Sequence, residues 1–94
     1  MQVLTQEEID AALRTRAPWT CEDGLLVLRV KETSFGPIAA LVHAILVIAE
    51  ELDHHPDVCF GYNWLRVSTV THDAHGITEK DLACVDRILQ HRAS

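Results

Sequence analysis

Between Phe35 and Leu52 the chain presents apolar residues on almost every side of a helix, and no other feature so limits how it can fold. Leu41, Ile45, Ile48 and Leu52 recur at helical spacing, and Ile38, Val42, Leu46 and Ala49 fill a second stripe. An ordinary amphipathic helix needs one cover, whereas a helix apolar nearly all round needs two. Its own sheet can supply the first, and a partner subunit is a reasonable second. Ser34 is placed to cap this helix, and Pro37 is tolerated in its first turn.

Shorter elements flank it. Thr5 and Glu8 have the form of a capping box ahead of Ile9, Ala12 and Leu13, which predicts a helix from about Thr5 to Arg14, ended by Ala17-Pro18. Trp19-Thr20-Cys21 and Leu25–Val30, split by Glu22-Asp23-Gly24, read as a β-hairpin. Leu26, Leu28 and Val30 share one face of it. Leu25, Val27 and Arg29 share the other, which makes that outer face unusually apolar toward its start. Val58–Tyr62 suits a short strand, Gly61 and Asn63 mark a bend, and Trp64–Thr71 is the clearest strand. There Leu65 and Val67 alternate with Arg66 and Ser68. Thr78 caps a last helix with Asp81 at its N3 position, and Leu82, Val85, Ile88 and Leu89 form the buried stripe. The order α-β-β-α-β-β-α predicts one α+β domain over residues 1–94, a four-stranded antiparallel sheet with three helices packed on one face.

Bulk properties exclude several function classes. A net charge of −6 with scattered arginines argues against nucleic acid, which needs clustered cations. The longest apolar stretch, Ile38–Ala49, contains His43 and is expected to be too short for a bilayer. The N-terminus has neither the basic nor the apolar region of a secretory leader. Cys21, Cys59 and Cys84 are odd in number and lack CxxC spacing, so reduced thiols are the default. A soluble, cytoplasmic protein is the expectation.

The chemistry concentrates around Asp53-His54-His55-Pro56, with His72 and Asp81 downstream. Imidazole titrates near neutrality, so several in one small domain suggest acid–base work or metal binding. Proline pushes the residue before it out of the helix, so these histidines lie beyond the helix end. Glu50 and His54 are four apart and share a face if the helix persists that far, in which case the carboxylate could orient the ring. His54, His55 and His72 can then converge where strand ends meet helix ends. Isolated histidines such as His43, His75 and His91 read as ordinary surface groups, Asp81 alone as a capping residue, and Glu50 alone as a solvated carboxylate. His54, His55, His72 and Asp81 could ligate zinc or iron, but no HxH or HxxxH pair supplies two ligands from one face. Cys59 lies near the histidines without any sign of activation, and no phosphate loop or dinucleotide fingerprint is present.

Glu50-x-x-x-His54-His55-Pro56, followed by Tyr62, His72 and Asp81, resembles the signature of pterin-4a-carbinolamine dehydratases. Gly76-Ile77-Thr78 is similar to that family's Gly-Leu-Thr before its last helix. The match is strong from about Ala49 to Ile88 and looser upstream, through Trp19 and the helix led by Phe35. Val58 stands where the family usually carries tryptophan, and His75 where a small residue is common. The resemblance implies dehydration of 4a-hydroxytetrahydropterin to quinonoid dihydropterin, without metal or cofactor, in recycling the pterin of aromatic amino acid hydroxylases. It assigns His54 and His72 as the acid–base pair and His55 to binding and orienting the pterin. Glu50 and Asp81 would support charge and tautomer, and Pro56 with Thr71, His72, Asp73 and Ala74 would line the pocket. It also implies homodimers or tetramers built through sheet edges and the long helix. A dimerisation or transcriptional cofactor, or a pterin-binding protein without efficient turnover, is the alternative.

Overall fold

A computed structural model describes residues 2–94; Met1, which the leader and domain readings include, lies outside them. The elements are α1 (Gln6–Leu13), β1 (Thr20–Glu22), β2 (Leu25–Lys31), α2 (Phe35–Leu52), β3 (Asp57–Phe60), β4 (Trp64–Thr69), a 3-10 turn (His72–Ala74) and α3 (Glu79–Ala93). The sheet is antiparallel throughout, in the order β1-β2-β4-β3. This is the expected α+β arrangement.

Its inner face is set by strand alternation. Leu26, Leu28 and Val30 of β2 and Leu65 and Val67 of β4 meet Ile38, Leu41, Ile45 and Ile48 of α2 in one core with Leu82, Val85 and Ile88 of α3. Each such fully buried side chain contributes about 1.5–3 kcal/mol relative to exposure. Ile9 and Trp19 join the same core. The Arg16 guanidinium bonds Asp86 at 2.8 and 3.1 Å, tying the segment after α1 to α3.

Boundaries differ from expectation in several places, each for a local reason. Glu22 belongs to β1, because Asp23 and Gly24 alone make the turn, both at positive φ as a two-residue hairpin of type I′ requires. β3 stops at Phe60, where Gly61 donates to the Trp64 carbonyl at 3.0 Å and lies under the Trp64 indole. β4 stops at Thr69, and Thr71 instead bridges Gly76. His72 therefore sits in a 3-10 turn and not on a strand. Ser34 occupies the N-cap position with extended backbone but makes no side-chain capping bond.

The second stripe of α2 divides. Ile38 and Ala49 are buried, whereas Leu46 is 55% exposed; Val47, outside either stripe, is 44% exposed beside it. By length and composition the full 18-residue helix could cross a membrane, which corrects the shorter apolar stretch read from the sequence; here one side of it lies on the sheet. On the outer face of the sheet, Val27 and its cross-strand neighbour Ser68 are buried as well.

Candidate active site

The site begins where α2 ends. Asp53 adopts the left-handed conformation (φ 50°, ψ 44°), its N–H reaches Glu50 O, and His54 N–H reaches Ala49 O at 3.1 Å. These are the paired bonds of a Schellman C-cap. The reversal takes His54 off the helical face that Glu50 occupies, which overturns the expected Glu50–His54 pairing. His55 receives Glu50 instead, with Nε2 2.8 Å from Oε1. Both partners are exposed, at 59% and 81% of their side-chain surface.

His54 turns inward to a carboxylate from the start of α3. Its Nε2 lies 2.7 Å from Asp81 Oδ1 and 2.9 Å from Thr69 Oγ1. Asp81 is fully buried. Thr69 donates to the same Oδ1 at 2.6 Å, while Oδ2 accepts from the Thr71 hydroxyl at 2.7 Å and the Thr78 N–H at 2.9 Å. Thr78 Oγ1 lies 2.8 Å from Thr71 Oγ1 and accepts from Lys80 N–H at 3.2 Å. Asp81 thus completes the expected capping box and also anchors His54. Four donors on two oxygens suit a carboxylate, which accepts only. With its Nε2 proton committed to Asp81 and Thr69, His54 has Nδ1 as its remaining basic position when neutral.

Beside this network opens a cleft of about 220 Å³, lined by Asp53, His54 and His55 from the segment after α2 and by Val70, Thr71, His72, Asp73 and Lys80 from the segment after β4 and the start of α3. The structure therefore brings the three expected histidines to one opening. Ala74 lines an adjoining cleft of about 260 Å³ that shares Thr71, Asp73 and Lys80. Pro56 is half-buried and lines neither cleft; Asp81 lies beneath the floor, and Glu50 acts only through His55. Sequence reading missed Thr69, Val70 and Lys80, and gave Asp53 a place in the histidine motif but no role of its own. A signal for Thr69 exists: with Leu65 and Val67 it occupies the inward alternation of β4, and a hydroxyl facing a core needs a partner.

A larger opening of about 450 Å³ between α2 and α3 holds His43, Glu51, Arg87 and His91. It lacks the buried carboxylate that organises the smaller cleft. Among the described residues no three His, Cys, Asp or Glu side chains group as metal ligands. Burial, with the Asp81 charge adding to it, pushes the Cys84 thiol up to about 11, so it remains protonated beneath the site.

A sequence model of the family described as Pterin 4 alpha carbinolamine dehydratase matches residues 2–91. Relatives from Metallosphaera sedula and Mycobacterium leprae bear the name "Putative pterin-4-alpha-carbinolamine dehydratase". The first is 36% identical over 94% of this chain and 92% of its own length. The second is 38% identical over 95% and 98%. Among solved structures, a transcriptional coactivator/pterin dehydratase from Brucella Melitensis aligns with a TM-score of 0.88 at 28% identity, over 95% of this chain and 97% of that one. A pterin dehydratase-like RuBisCO assembly factor of the alpha-carboxysome aligns at 0.61 and 20% identity, over 74% and 81%, a likeness of fold alone.

Proposed function

This chain belongs to the pterin-4-alpha-carbinolamine dehydratase family, and from that premise we propose that its histidine-lined cleft dehydrates a 4a-hydroxytetrahydropterin, with His54 and His72 moving the protons. The observation that carries this reading is the 2.7 Å bond between His54 and the buried Asp81. It holds one imidazole in a single orientation at the cleft, with its Nδ1 free of hydrogen bonds among the described residues.

The reaction needs one proton in and one proton out. Protonation of the 4a-hydroxyl lets the C–O bond break with its electron pair, so that oxygen leaves as water. Loss of a ring N–H proton supplies the electron pair for the new C=N bond of the quinonoid dihydropterin. Two imidazoles lining one cleft from different segments of the chain suit such a relay, and each general acid or base step is worth about 10²–10⁴ in rate. His55, held by Glu50 at the mouth, binds and orients the pterin. Within Thr71–Ala74, the backbone groups that the loop's own bonds do not use, such as the His72 and Asp73 N–H, offer donors and acceptors to the ring edge. A separate two-electron reduction must then restore the tetrahydropterin before it can serve an aromatic amino acid hydroxylase again. A second copy of the chain covers Leu46 and Val47 of α2.

Stopped-flow absorbance of 4a-hydroxytetrahydropterin decay tests the proposal. Acceleration that survives a chelator and disappears in a His54→Ala/His72→Ala double variant is the expected result. A folded wild-type protein that binds pterin without accelerating its decay would overturn the enzymatic reading.

A further inference from the structure

Two residues ahead of α1 lie against the loop that carries His72. The Leu4 N–H donates to the Ile77 carbonyl at 2.8 Å, across more than seventy residues of chain. Val3 packs over Gly76 so closely that a methyl group built on Gly76 would lie 2.6 Å from Val3 Cγ1 and 3.3 Å from Cγ2. Gly76 does not hold a positive φ, so its backbone imposes no need for glycine. A side chain there would have to displace Val3, which is itself 41% exposed.

The loop itself is tightly closed. Thr71 and Gly76 exchange N–H···O bonds of 3.0 and 3.4 Å at its base. Within it, Ala74 N–H reaches Thr71 O at 3.1 Å and His75 N–H reaches His72 O at 3.0 Å. From there Ile77 enters the core and Thr78 joins the Asp81 network. Both flanks of the loop base, Thr71 and Thr78, are thus tied to the buried carboxylate, and the N-terminal segment adds a hold on the second flank at Gly76 and Ile77.

We infer that Val3 and Leu4 are positioning residues, a strap that holds the Thr71–Gly76 loop so that His72 keeps its place in the cleft it shares with His54. The inference rests on the reading of His72 as an acid–base group. The strap touches no substrate and acts through the loop alone. Errors of about 1 Å in the placement of a reacting group can cost 10²-fold in rate, so a displaced strap lowers kcat more than it alters pterin affinity.

The test is a steric cycle in the full chain, comparing Gly76→Ala, Val3→Ala and the double variant. Gly76→Ala forces Val3 off the loop and is expected to lower kcat about tenfold or more with KM changed less than about threefold. Val3→Ala removes both crowding methyls, so the double variant recovers to within about threefold of Val3→Ala alone, the non-additivity expected of residues in contact. Thermal melting confirms folding. The NMR resonances of the His72 imidazole, with amide exchange from His72 to Gly76, report loop placement independently of turnover. They should shift in Gly76→Ala and return in the double variant. Should Gly76→Ala not fold, Val3→Gly loosens the same contact, and faster exchange at Gly76 with a lower kcat is the expected result. The strap is wrong if the single variants leave kcat and the His72 resonances unchanged, or if the double variant is as impaired as Gly76→Ala. If the wild-type protein shows no turnover, the dehydratase reading falls, and the resonances and exchange rates decide the strap alone.

Discussion

Asp81 Oδ1 and His54 Nε2 lie 2.7 Å apart although 27 residues separate them in the chain, and the carboxylate is wholly removed from solvent. Its three other donors, Thr69, Thr71 and the Thr78 N–H, hold it in place. A buried carboxylate so anchored fixes the imidazole it meets.

Asp81→Asn keeps the shape of this side chain while replacing one acceptor oxygen with a donor. The imidazole then loses the partner that selects its tautomer. A fall in kcat of roughly 10²–10⁴ is expected, by analogy with other carboxylate–histidine pairs. Stability should drop by about 1–3 kcal/mol for the donors left unmatched. Rapid-mixing kinetics and urea unfolding read the two effects separately, and an unchanged kcat would remove Asp81 from the mechanism.

His54→Ala and His72→Ala should each slow dehydration by about 10²–10⁴. The double variant should lie far above the product of the two single effects if both groups serve one transition state. His72 is exposed, so its loss should leave the melting temperature within about 2 °C of wild type, in keeping with the small cost of most surface substitutions. Zinc-restorable loss of activity on chelation would instead favour metal chemistry.

Glu50→Gln offers a contrast. The Glu50–His55 pair is solvent-exposed and therefore contributes at most about 1 kcal/mol. KM is expected to rise about fivefold or less with kcat preserved, and the difference should shrink in roughly 0.5 M salt as screening increases. A large loss of kcat would move Glu50 from a supporting to a chemical role.

Cys84 predicts a pH effect on stability. Burial raises its thiol from 9.0 to about 11 in the folded chain, so the native state retains a proton that the unfolded state gives up. The contribution is fully present below pH 9.0 and is lost as pH climbs from there toward 11. The slope is at most about 1.4 kcal/mol per pH unit. Urea midpoints of wild type and Cys84→Ala between pH 8 and pH 10.5 should converge as pH rises; parallel curves would refute the assignment. At pH 8 a thiol reagent should modify the exposed Cys59 and spare Cys84.

Much of the site's chemistry was legible as spacing. The capping box of Thr78 and Asp81 spans three residues, so a short window suffices to see it. The same window hid the second role of Asp81, because His54 and Thr69 reach it from the ends of two other elements. The Glu50 partner was misread for a related reason. Whether Glu50 meets His54 or His55 depends on one backbone conformation, the left-handed Asp53, which displaces the following side chains from the helical ladder. Likewise the Val3 contact with Gly76 joins chain regions that no local pattern relates.

By itself, then, the sequence determined the α-β-β-α-β-β-α order, the inward faces of β2 and β4, the caps of α1 and α3, and the family signature. Periodicity and capping depend on neighbours a few residues away, and those neighbours are written in the chain. Tertiary structure alone decided that Asp81 holds His54, that Glu50 holds His55, and that the N-terminal segment braces the His72 loop. Those pairings follow from where the ends of α2, β4 and α3 meet once the core is packed, and that meeting point has no local code.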